Sequence, residues 1–186
     1  MIWLGVVFWS GVHLLPSLAP GFRAGLIERL GGKGYKIGFT FAIILSIMLI
    51  VLGWRSADVG FIYEPPGWGR PLTMLLMLLA FFLFASSHGK SNLKRFIRHP
   101  QLSAILIWAL AHLLANGDSR SLAFFGGLGL WALIQMALIN RRDGERVLPE
   151  PRPWKAELKP LLIGSVLYAV FILLHPYFAG VSPIGA

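Results

Sequence analysis

Apolar residues run along this chain in six long stretches separated by short polar connections. The stretches cover approximately 2–19, 35–54, 71–88, 100–116, 121–140 and 160–179, each near the ~20 residues that carry a helix across a bilayer. No connection is long enough to fold separately, and no internal repeat or low-complexity segment is visible. The pattern predicts an all-α integral membrane protein, a bundle of about six transmembrane helices forming a single domain over residues 1–186. The fourth stretch is the shortest, and Pro100 fits its first turn, where a missing N–H leaves no helical bond unmade. Gly31, Gly32 and Gly34 read as a flexible turn before the second helix. They follow no strand and match no nucleotide fingerprint. Met1–Pro20 lacks a basic leader and a small-residue cleavage site, so it reads as a retained first helix. Pro183, Gly185 and Ala186 close the chain in a short polar tail.

Composition agrees. Of 186 residues 56% are hydrophobic and 13% charged, with mean hydropathy +0.68, too little polar surface to cover a soluble domain of this size. With no cysteine, disulfides, iron–sulfur clusters and thiolate catalysis are excluded.

The net charge of +9 does not form a nucleic-acid-binding face, because the cations sit in the connections. Arg23, Arg29, Lys33 and Lys36 follow the first stretch. Lys90, Lys94, Arg95 and Arg98 follow the third, and Arg141, Arg142, Arg146, Arg152, Lys155 and Lys159 follow the fifth. The opposite side keeps only Arg55, Arg70 and Arg120, a division of 14 to 3. The positive-inside rule then puts both termini in the periplasm of a bacterial inner (cytoplasmic) membrane. Trp54, Tyr63, Trp68 and Trp154 sit where aromatic residues meet headgroups.

Four of the five histidines, His13, His88, His112 and His175, lie in or at the ends of these stretches. An ionisable group within a membrane marks a functional site by default, and neutral imidazole is the commonest metal ligand. A buried metal or haem, or a proton or quinone site, follows as the expectation. His13 lies roughly 17 Å from the outer end of its helix and His112 roughly 18 Å from the inner end of its own, at ~1.5 Å per residue. In a ~30 Å hydrocarbon core the two reach similar depth, as bis-imidazole haem requires. Each of the four follows an aromatic residue by one turn: Trp9–His13, Phe84–His88, Trp108–His112 and Phe171–His175. Asn116 continues the His112 face and is placed to orient it, and His99 flanks the same helix ahead of Pro100. For each histidine the plain alternative is packing or a bond to its own helix. Carboxylates are nearly absent from the spans, which argues against paired-acid catalysis and proton relays of acids. No inverted repeat points to a transporter.

The run Arg98-His99-Pro100-Gln101-Leu102 through Trp108-Ala109-Leu110-Ala111-His112-Leu113-Leu114-Ala115-Asn116-Gly117-Asp118, with Gly11-Val12-His13-Leu14 in the first helix, resembles the NnrU family. These are small bacterial membrane proteins associated with denitrification gene clusters. The family in turn resembles 15-cis-ζ-carotene isomerase, which holds a b-type haem (heme b) through histidines. That resemblance puts the ligands on His112 and, by a weaker match, His13. The isomerase's histidine-rich next helix has no counterpart in Leu130-Trp131-Ala132-Leu133-Ile134. A more distant similarity, to membrane methyltransferases, rests on Arg98-His99-Pro100 and Glu145. It implies S-adenosylmethionine as the alternative cofactor, and a non-catalytic accessory role is the third reading.

The expectation is therefore a multi-pass membrane protein with haem b between His13 and His112, and with Asn116 and His99 among the cofactor-binding residues. Its work would be redox or isomerase chemistry linked to nitrite or nitric oxide metabolism. Expected partners are membrane lipids, a small or lipid-soluble substrate and, in a homo-oligomer, further copies of the chain. Nucleic acid is not among them.

Overall fold

The computed structural model describes residues 1–184, so Gly185 and Ala186 of the tail lie outside the described residues. The helices are α1 (Ile2–Leu18), α2 (Pro20–Ser56), α3 (Gly69–His88), α4 (Leu93–Phe96), α5 (Pro100–Ala115), α6 (Ser119–Ser121), α7 (Gly127–Asp143) and α8 (Leu158–Ala179). A π-helical turn, Leu122–Gly126, joins α6 to α7, and a 3-10 turn, Trp154–Glu157, leads into α8. Among the described residues the only β pairing is an isolated bridge between Phe61 and Asp118. Pro20 and Pro100 open α2 and α5.

Four helical segments are long and apolar enough to cross a membrane: Pro20–Ser56, Gly69–His88, Ser119–Asp143 and Trp154–Ala179. Ile2–Leu18 and Pro100–Ala115 are apolar and shorter. The first connection is itself helical, unlike the flexible turn expected from its glycines. Gly31 alone breaks it, with φ 70° and ψ 161°, a conformation that only the lack of a Cβ makes inexpensive. Gly32 and Gly34 continue the helix.

Side-chain sizes are distributed as a lipid solvent requires. The buried positions include Ala80, Ala85, Ala104, Ala109, Ala111, Ala123 and Ala132 with Ser46, Ser86 and Ser121, while Phe41, Leu75, Leu110, Leu162 and Leu173 are exposed. Small residues at the contacts let helix backbones approach, and lipid-facing bulk needs no protein partner. So much exposed apolar surface would not persist in water. The chain is a membrane protein.

The chain divides into two compact units, 1–63 with 117–144 and 64–116 with 145–186. In the first, α1 packs on α2 and α7 through glycines. A Cβ on Gly5 would stand 2.7 Å from Ile50 Cγ1, and one on Gly127 would stand 2.7 Å from Val6 Cγ1. In the second, α3 packs on α5, where Gly69 meets Leu114 and Thr73 Oγ1 donates to the Ala111 carbonyl at 2.6 Å. On the other side of α3, Gly164 of α8 lies against Phe81 and Phe82, and Tyr168 donates to the Met74 carbonyl at 3.0 Å.

Candidate functional site

One device recurs at the histidines of the apolar helices. His13, His88 and His112 each direct Nδ1 at the carbonyl one turn back, Trp9 at 2.9 Å, Phe84 at 3.0 Å and Trp108 at 2.8 Å. His175 directs Nδ1 at the Val181 carbonyl, 2.7 Å away. A carbonyl only accepts, so in the neutral ring these bonds place the proton on Nδ1 and the lone pair on Nε2. That is the tautomer of a metal ligand bonded through Nε2 and oriented by its other nitrogen. The aromatic spacing is also realised: ring centres are 4.2 Å apart for Trp9–His13, 4.9 Å for Phe84–His88 and 5.3 Å for Trp108–His112. His175 has its ring neighbour on the other side, Phe178 at 5.1 Å.

In the first unit three rings from three helices surround His13. Trp9 lies one turn before it on α1, Phe39 of α2 has its centre at 5.5 Å and Trp131 of α7 at 5.2 Å. Trp9 and Trp131 meet edge to face at 5.8 Å. The Gly127–Val6 contact holds α7 against α1 one turn ahead of Trp131, and the π turn lies just before it. Such turns are frequent beside functional sites. The indole N–H groups of Trp9 and Trp131 and the Gln135 side-chain oxygen are buried and find no partner among the described residues.

In the second unit His112 of α5 lies beside His175 of α8, with ring centres 6.5 Å apart and planes 21° from parallel. Asn116 donates its side-chain amide to the His112 carbonyl at 2.8 Å, while the Trp108 carbonyl takes the ring Nδ1. Asn116 thus secures the end of α5 at the histidine's backbone. His99 precedes Pro100 at the start of α5, its carbonyl accepting from Ser103 N at 2.9 Å. Thirteen residues separate it from His112, about 20 Å along a helix, so the two cannot ligate one metal. His88 is exposed at the end of α3. His13 belongs to the first unit and His112 to the second.

The polar ends are knitted by hydrogen bonds. Asp118 caps α6, accepting from Arg120 N and Ser121 N at 3.0 Å each and from Ser121 Oγ at 2.7 Å. Burial alone would raise its pKa, but those bonds and the Arg120 charge hold it below the usual carboxylate value. Tyr63 is shifted upward by burial and by the Asp118 charge. Arg120 lies over the Trp54 ring at 4.8 Å. In the second unit Glu157 accepts from Ser91 Oγ and Asn92 N, both at 2.6 Å. Asn92 and Arg152 exchange side-chain and backbone bonds at 2.7–2.8 Å.

No cluster of three or more His, Cys, Asp or Glu able to hold a metal ion occurs among the described residues. Two imidazoles suffice for haem, whose macrocycle supplies four nitrogens of its own. Sequence reasoning left His175 without a role and passed over Trp131 and Gln135. The available signal was Gln135 itself, a polar side chain within an apolar span and one turn from an aromatic residue, repeating the Trp9–His13 spacing.

No curated protein and no solved structure matches the chain. A family model does, described as NnrU protein and matching residues 1–183 of 186. With the histidines of the apolar helices, the Arg98–Asp118 run and the helical architecture all inside that match, the chain belongs to the NnrU family.

Proposed function

We propose that this NnrU-family protein crosses the bacterial inner membrane six times with periplasmic termini and binds b-type haem through transmembrane imidazoles. Its chemistry is redox or isomerase chemistry on a small or lipid-soluble substrate. The carrying observation is the His112–His175 pair: two rings on different helices, each with Nδ1 bonded to a carbonyl, their centres 6.5 Å apart. A haem there would supply one-electron chemistry. The protein's part is to fix both tautomers through their Nδ1–carbonyl bonds. The link to nitrite or nitric oxide metabolism rests on the family resemblance alone.

The test is the absorption spectrum of protein purified in mild detergent, oxidised and dithionite-reduced, with haem quantified per chain. Near one haem per chain is expected, lost in His112→Ala and His175→Ala and kept in His13→Ala. Loss in His13→Ala with retention in His175→Ala would restore His13 as the partner of His112. A featureless spectrum from folded protein made with ample haem refutes the reading. Reporter fusions at both termini check the topology, and a cytoplasmic signal from either would refute it.

A further inference from the structure

The first unit carries a second polar site, which the haem reading leaves unused. Buried N–H donors and carbonyl acceptors without partners cost on the order of a hydrogen bond's desolvation each, and proteins rarely keep several together. Here two indole N–H donors, Trp9 and Trp131, and one acceptor, Gln135 Oε1, are buried and unpartnered among the described residues. Trp131 is only 5% exposed. Trp9 and Trp131 pack directly against His13, and Gln135 lies one turn along α7 from Trp131.

The composition of this cluster selects its ligand. Two uncharged N–H groups ask for acceptor oxygens, which a bare hydrocarbon such as a carotene lacks. No cation takes part in the cluster, so a carboxylate or phosphate headgroup would enter uncompensated. The Gln135 oxygen and the His13 Nε2 lone pair are acceptors suited to hydroxyls. Three aromatic side chains, Trp9, Phe39 and Trp131, offer ring faces and edges to a flat molecule. We propose that the Trp9–His13–Trp131–Gln135 cluster binds the headgroup of a lipid-soluble quinone, with its carbonyls on the indole N–H groups, and equally its quinol form, with hydroxyls on Gln135 and His13. The site shares no residue with the His112–His175 pair, since every residue in it belongs to the first unit.

The probe is a photoreactive azidoquinone with a short alkyl tail, applied to full-length protein in lipid nanodiscs and competed with decylubiquinone. Cross-linked peptides are mapped by mass spectrometry. Saturable labelling within residues 2–18 and 127–143 is expected. Trp131→Phe and Trp9→Phe keep an aromatic ring and remove only the N–H, so each should weaken competition about three- to tenfold, the usual worth of one such bond. Gln135→Leu should weaken the quinol more than the quinone. His112→Ala, which removes the proposed haem, should leave labelling unchanged. Helicity and melting of each variant are recorded beside it, so that a variant that fails to fold is set aside in favour of the other indole. Labelling that decylubiquinone does not displace, or equal affinity in wild type and both indole variants, overturns the proposal and leaves buried water as the partner of these groups.

Discussion

Replacing Gly5 by alanine tests the close packing that brings α1 against α2. A Cβ there would lie 2.7 Å from Ile50 Cγ1, 2.8 Å from Ile50 N and 2.9 Å from Ser46 O. Two of these are backbone atoms, so a rotamer change cannot relieve the clash and the helices must separate. Gly11, on the same helix, has nothing within 4 Å of the same added atom. Both substitutions gain helix propensity, worth up to about 1 kcal/mol, and that gain cancels in their difference. What remains is the overpacking at Gly5, typically about 1–3 kcal/mol. Gly11→Ala should be neutral to stabilising, and Gly5→Ala less stable than Gly11→Ala by that amount. Unfolding titrations in mixed micelles, followed by circular dichroism, give both values. Equal stability of the two variants would mean that α1 and α2 do not approach at Gly5 and would remove the packing argument for this unit.

Asp118→Ala should cost about 1 kcal/mol at neutral pH, the usual worth of an N-cap. Because the folded pKa of Asp118 lies below its unfolded value, this contribution is complete above the unfolded pKa, near 3.9. It fades as the pH falls through the folded pKa; melts of wild type and variant from pH 7 to pH 3 should therefore converge, and a constant gap would contradict the assignment. Thr73→Val removes the hydroxyl bond from α3 to the Ala111 carbonyl, and about 0.6 kcal/mol of destabilisation is expected from the average worth of such bonds in membranes. Glu157→Ala frees Ser91 and Asn92 and should speed proteolysis at residues 89–98 with the α-helical signal retained. His99→Ala should leave haem content per chain unchanged, since His99 lies a helix length from His112; loss of haem without loss of fold would reverse that.

The helices were legible because a bilayer imposes a single demand, that each backbone polar group be satisfied within its own segment. That demand makes long apolar runs nearly synonymous with helices. Pro100 opening α5 was equally readable, since proline fits the first turn and little else in a helix. The helical 20–30 connection was not, because its charges and its glycines, Gly21 and Gly25, resemble a loop, and Gly31 alone carries the break. His112 stood out through its position in an apolar helix. Its pairing with His175 did not, because contact between α5 and α8 depends on both packing against α3 and leaves no periodic trace in either segment. The Asn116 amide, read from the sequence as orienting His112, donates to the His112 carbonyl. Trp108, one turn back on the same helix, is already in place to take the Nδ1 proton.

The histidine–carbonyl bonds also explain how so apolar a chain holds its imidazoles in defined orientations. At His13, His88 and His112 the preceding helical turn supplies the acceptor for the ring N–H, an oxygen that already serves the backbone ladder. No second polar side chain is required, so the surrounding positions stay free for Trp, Phe and Leu. The consequence is chemical as well as structural: satisfying Nδ1 locally commits Nε2 to act as an acceptor or ligand. A histidine retained only for packing gains nothing from lying beside another imidazole, as His112 does beside His175, or among indoles whose N–H groups are unpartnered, as His13 does. Substituting glutamine for His112 separates the two roles, since its amide keeps a donor for the Trp108 carbonyl while lacking an imidazole nitrogen. If the imidazole serves as a ligand, His112→Gln should fold and melt like wild type yet lose its haem, whereas parallel loss of both would return the residue to a structural role.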